Sequence, residues 1–247
     1  MSHNGRIPTL SAALLLAAAF VALPACMVDM RHWDDESPRT PSREPLSRWG
    51  DACRVDSQCG GGLSCTEGMC EPTRIGIYPV NALVAPGKAD GTEWDSDRYL
   101  PRWVWDELDA ARRQGVSSLY AFMADQRRMG WSRPDPYGYG FLSTDGYRYD
   151  ERWTIALAER GYQDLDVFDP EWRGAVGWSG VRFDTRLAVA FDIWDEDVRS
   201  DEDIGFVELD FWALREALHR GGVTYFDVYD QTAGQLLLVG VEVVPES

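Results

Sequence analysis

Residues 187–209 read LAVAFDIWDEDVRSDEDIGFVEL. Leu187, Val189, Phe191 and Ile193 alternate with Ala188, Ala190 and Asp192, the period-two pattern of a half-buried strand. The strand ends in acid: Asp195, Asp197, Asp201, Glu202 and Asp203 fall within nine positions, and Ile204 and Gly205 then restart an apolar strand. Asp195 and Asp197 are two apart, so an extended chain points both carboxylates to one side. Like charge gathered this densely is costly unless a cation sits among the oxygens, and a hard cation such as calcium takes roughly six to eight oxygen ligands. The plainer alternative is a solvated acidic turn in a chain of net charge -17.

Three further signatures precede this loop in order. Residues 75–84 form an apolar run leading to Ala89-Asp90-Gly91; Asp135-Pro136-Tyr137 opens another strand; and Asp169-Pro170-Glu171-Trp172 precedes the strand that enters the acidic loop. Together with D-x-D, an acidic cluster and I-G, they resemble the loops and strand starts of C2 domains over residues 75–245. The resemblance implies an all-β, antiparallel β-sandwich whose first and third loops emerge at one end. Asp90, Asp95 and Asp135 would then stand opposite Asp195, Asp197 and the group Asp201, Glu202 and Asp203. It also implies calcium as the bound ion, and phosphorylated lipid heads or an acidic group on an envelope protein as what a calcium-loaded tip docks to. Two departures matter. Forty positions separate Asp95 from Asp135, where the family has a short loop. The interval from Asp197 to I-G is one residue short, so which of Asp201, Glu202 and Asp203 takes the last ligand place stays open.

The N-terminus reads as an export signal. Residues 10–23 are almost entirely apolar, a stretch whose helix of about 21 Å is too short to cross a hydrocarbon layer of about 30 Å. Leu23-Pro24-Ala25-Cys26 resembles the lipobox of bacterial lipoproteins. That resemblance implies Cys26 as the lipid-modified first residue of the mature chain, with an ordinary cleaved signal as the alternative. Five cysteines are an odd number, and setting Cys26 aside leaves four that can pair. Met27 is not the aspartate that favours inner-membrane retention in enteric lipoproteins, so the outer membrane is the expected location in the cell envelope. Residues 26–49 are polar and proline-punctuated, the composition of a disordered tether.

Residues 50–72 contain Cys53, Cys59, Cys65 and Cys70 among glycines. In an exported chain this reads as a small module with two disulfides, in any of three connectivities, rather than a zinc site, because the C-x-x-C pairs of zinc ribbons are missing. The main domain, residues 75–247, opens on a strand whose Pro79 marks an edge position or a bulge. An insertion at about 96–133 carries two helical patterns, one through Trp103, Val104, Leu108, Ala111 and Val116 and one through Leu119, Phe122 and Met123, parted by Gly115. Further strands are expected at 137–142, 153–157, 181–193, 206–209, 223–228 and 236–244, with one helix at 212–220 stopped by Gly221-Gly222.

Charge and composition narrow the function. An acidic chain with a single lysine, Lys88, is ill suited to bind nucleic acid or anionic lipid unaided, since both require basic side chains on phosphate. Three histidines give little material for a zinc site or a Ser-His-Asp arrangement. No nucleophile motif or glycine-rich phosphate loop is present, so a binding protein is expected rather than an enzyme. The expectation is an envelope-anchored C2-like domain that docks through calcium, with a calcium-independent scaffold as the alternative.

Overall fold

The computed structural model describes residues 48–146, 149, 154–158, 166–172, 177–197, 201–232 and 234–246. The chain separates into two compact units, Met1–Glu44 and Pro45–Ser247, and every described residue lies in the second. The expected leader, Cys26 and nearly all of the tether lie outside the described residues.

The cysteine-rich segment builds a hairpin of β1 (Leu63–Thr66) and β2 (Met69–Pro72). Its turn places Glu67 and Gly68 at φ 50° and 79°, the left-handed region that glycine tolerates best. Disulfides join Cys53 to Cys65 and Cys59 to Cys70, with Cα–Cα distances of 5.8 and 5.5 Å, selecting one of the three connectivities. Two strands alone are marginal in water, and the crosslinks substitute for a core. Glu71 on β2 is fully buried and ties the hairpin to the main domain. It accepts from Arg215 Nε at 2.7 Å and Trp49 Nε1 at 3.1 Å, and contacts His219 Nε2 at 2.9 Å.

Eight strands follow: β3 (Arg74–Val84), β4 (Pro136–Ser143), β5 (Ile155–Ala158), β6 (Trp178–Arg182), β7 (Ala188–Asp195), β8 (Glu202–Asp210), β9 (Val223–Asp227) and β10 (Leu236–Glu246). They form two antiparallel four-stranded sheets, ordered β6-β3-β10-β9 and β5-β4-β7-β8. The apolar side read along β7 holds, with Val189, Phe191 and Ile193 buried and Phe191 stacked on Trp172 at 6.3 Å between ring centroids; the other side is more covered than expected, since Ala188 and Ala190 are buried as well and only Asp192 and Trp194 are partly exposed. With Ile75, Ile77, Val207, Leu209, Val239 and Val241 they fill the space between the sheets. The protein is therefore an all-β antiparallel sandwich with a helical insertion and an N-terminal disulfide-linked hairpin.

The insertion folds as α1 (Arg102–Gln114) and α2 (Val116–Gln126), parted by Gly115 at φ 102°. Val104, Leu108, Leu119 and Met123 join the main core, each contributing about 1.5–3 kcal/mol by leaving water. Polar contacts fix the helices against the first sheet: Asn81 Nδ2 donates to Tyr120 Oη at 2.9 Å, and Arg112 bonds Asp227 and Asp230, each at 2.9 Å. α3 (Phe211–Arg220) starts at Asp210, whose Oδ1 accepts from the Ala213 N–H at 2.9 Å.

One expectation needs correction, and one alternative is resolved. The single strand expected at 181–193 is two strands in different sheets, because Asp184 accepts from the Arg186 N–H at 3.0 Å and turns the chain between β6 and β7. Pro79 lies in a strand between β6 and β10, beyond the last residue, Ile77, that pairs with β6. The bulge expected there occurs, since Pro79 and Asn81 face the consecutive residues Val241 and Gly240 and leave Val80 as the extra residue.

Candidate metal centre

Asp195 is the last residue of β7 and is paired with Pro136 of β4 on one side and Glu202 of β8 on the other. Strand alternation turns its side chain inward, like that of Ile193, and the carboxylate is fully buried. Its Oδ1 accepts from the Asp135 N–H at 2.6 Å. Among the described residues its buried Oδ2 has no hydrogen-bond partner. A buried charged oxygen left without a partner is expensive, so such atoms ordinarily mark a cation or a missing donor.

The first loop delivers Asp95 to this point. Glu93, almost fully buried, accepts from Arg98 Nη2 at 2.9 Å and from the backbone N–H and Oγ of Ser132 at 3.2 and 3.3 Å. Ser132 Oγ in turn accepts from the Asp95 N–H at 3.2 Å. The start of the insertion is thereby stapled to the residues that precede β4. One carboxylate oxygen each of Asp95, Asp195 and Asp197 lies within 4.8 Å of the others. Calcium–oxygen distances of about 2.3–2.6 Å allow two ligands of one ion to lie up to about 5 Å apart, so the three stand close enough to share a single cation.

Proton affinity reports the same crowding. Burial first, then the charges of Asp95, Asp197 and Asp135, push the Asp195 carboxyl up to about 7 against the opposing bond from Asp135. Burial, then Asp197, Asp135 and Asp166, push Asp95 up to about 6. Asp197 is raised by burial and by Glu202. Asp135 adjoins the trio, and its Oδ1 accepts from the Asp166 N–H at 2.6 Å.

A bulge separates the acidic residues that spacing could not tell apart. Ile193 faces Gly205 while Trp194 faces Asp203, so Ile204 is the extra residue of β8. Residues directly opposite share a face, which puts Glu202 on the side of Asp195 and Asp203 on that of Trp194. The burial of Asp203 and the charge of Asp192 raise its carboxyl, away from the trio. Asp201 accepts from the Tyr137 hydroxyl at 2.8 Å. Asp90 closes a local turn, its Oδ1 accepting from the N–H and Oγ1 of Thr92 at 2.9 and 2.7 Å, which holds its carboxyl below the ordinary value. Of the eight carboxylates expected at the centre, the fold gathers Asp95, Asp195 and Asp197, sets Asp135 and Glu202 beside them, uses Asp90 and Asp201 locally, and turns Asp203 to the face of Trp194.

Sequence reasoning missed two members of this site. Lys88 Nζ pairs with Glu202 Oε2 at 2.6 Å, and its charge acts on Asp95, Asp195 and Asp197; its being the only lysine, next to an acidic loop, was the available signal. Asp166 had none, because only the fold brings it to Asp135.

No protein-family model and no curated protein sequence matches the chain. Solved structures similar to it include C2 domains. The paired C2 domains of extended synaptotagmin 2, solved with calcium bound, share 15% identity at a TM-score of 0.36, over 69% of this chain and 45% of that one. A C2 domain of plant extended synaptotagmin 1 shares 14% at 0.33, over 71% and 96%. Human GIVD cytosolic phospholipase A2 shares 16% at 0.34, over 70% of this chain and 17% of the phospholipase.

Proposed function

We propose that this protein is an envelope lipoprotein, anchored through Cys26, whose sandwich binds calcium through Asp95, Asp195 and Asp197 and thereby docks to phosphorylated lipid heads or an acidic partner. The observation that carries the calcium reading is the buried Oδ2 of Asp195, without a hydrogen-bond partner among the described residues, beside two further carboxylates. A bound divalent ion would supply that oxygen with a partner and add two positive charges to an end of the sandwich that otherwise repels anions. Anchor and ion would then cooperate: a lipid chain at Cys26 raises the effective concentration of headgroups, so a weak second contact suffices.

Thermal unfolding tests the ion. In chelator and then in rising calcium, the midpoint should climb saturably, by the equivalent of about 2.7 kcal/mol at a hundredfold excess over Kd, and magnesium should not reproduce it. A midpoint unmoved to ten millimolar calcium would sink the reading. Vesicles of phosphatidylglycerol against phosphatidylcholine, with and without calcium, test the docking.

The Lys88–Glu202 pair favours a second reading, a calcium-independent scaffold in which that ammonium already offsets the acidic loop. Asp195→Asn separates the two. The calcium model predicts loss of the metal response, whereas the scaffold predicts unchanged partner binding.

A further inference from the structure

The chain has one lysine, and it stands at the acidic end of the sandwich. Lys88 lies in the loop after β3, half-buried, where its backbone N–H donates to Thr92 O at 2.8 Å and so keeps the turn closed. Its ammonium meets Glu202 Oε2 at 2.6 Å. Glu202 is the residue that the Ile204 bulge turns toward Asp195, and it also presses on Asp197. The carboxylates on this side are thus divided: Asp95, Asp195 and Asp197 lie together, with Asp195 Oδ2 unanswered among the described residues, whereas the equally buried Oε2 of Glu202 is answered by charge, through its ion pair with Lys88.

We propose that Lys88 stands in the place of a second cation: by holding Glu202 it limits the centre to one divalent ion. The inference rests on the calcium reading above and adds the number of ions and the residue that sets it. A divalent ion needs several oxygen ligands, and a second ion beside the first would draw on Asp197 and Glu202 together. Lys88 occupies Glu202 and repels an ion approaching from its side, and with its charge removed both obstacles disappear.

Calorimetric titration of the full chain with calcium, starting metal-free, tests this. The wild type should bind one ion and Lys88→Gln two. Lys88→Arg keeps the charge and should bind one. The double variant Lys88→Gln, Glu202→Gln should return to one, because the carboxylate charge that the second ion needs is gone. Acetylation of the folded protein provides a route that needs no refolding, since Lys88 and the N-terminal amine are the amines available, and it should likewise raise the count from one to two. One ion with unchanged affinity in both Lys88→Gln and the acetylated protein overturns the proposal, as does a wild type that takes two. Absence of calcium binding in all forms removes the calcium reading itself, and is told apart by the flat wild-type titration.

Discussion

Asp195 combines complete burial with an oxygen that no described residue answers, and its surroundings yield two predictions. Replacing it by Asn keeps an oxygen for the Asp135 N–H and removes the charge. A tenfold change in proton affinity is worth about 1.4 kcal/mol, so Asp195→Asn should stabilise the metal-free protein by roughly 1–3 kcal/mol in urea unfolding at pH 7.5 while abolishing the calcium response. A loss of stability instead would mean that the carboxylate is already satisfied without metal. The second prediction concerns pH. Asp95 and Asp195 titrate at about 6 and 7 in the fold against 3.8 ordinarily, so between these values the folded chain holds protons that the unfolded chain has released. Stability therefore falls as pH rises through this window. The midpoint in chelator should be higher at pH 5 than at pH 7.5, and saturating calcium should reverse the order, since protons and metal compete for the same oxygens.

The elements carrying these residues were legible to different degrees. Alternation along β7 was plain, because Val189, Phe191 and Ile193 face a core and period two survives in the sequence. Gly115 between two helical patterns was equally plain. The Ile204 bulge was not, since an extra residue leaves composition unchanged and shows only as a shift of register against β7; hence Glu202 and Asp203 could not be told apart. Similarly, one apolar run covered β6 and β7 because the Asp184 turn contains no glycine or proline. Gly205 provides the test at this scale. A Cβ there would lie 2.6 Å from Thr232 Cγ2, and Thr232 cannot swing aside without breaking Oγ1 bonds to the Leu236 carbonyl and N–H at 2.8 and 3.1 Å. Gly205→Ala should cost about 1–3 kcal/mol and, by moving β8 against β10, weaken calcium binding as well; a neutral effect would show that the bulge can shift freely.

Across the whole molecule, the disulfide-linked hairpin and the sandwich meet at one buried carboxylate. Arg215→Ala strands Glu71 with only His219 and Trp49 to answer it, and breaking a buried pair from one side costs about 3–5 kcal/mol. Denaturant unfolding should show a loss of that size, and a loss below about 1 kcal/mol would mean that the remaining partners suffice. The same arrangement has a mechanical side. The hairpin's last residue, Pro72, is separated from β3 by Thr73 alone, and β3 runs through the middle of its sheet. A pull from the N-terminal side of Trp49 would be taken first by two covalent loops and a buried ion pair, and would arrive at a strand clamped by neighbours on both sides. The hairpin is thus a strain relief, of the kind that keeps a tugged cable from loading the joint where it is soldered.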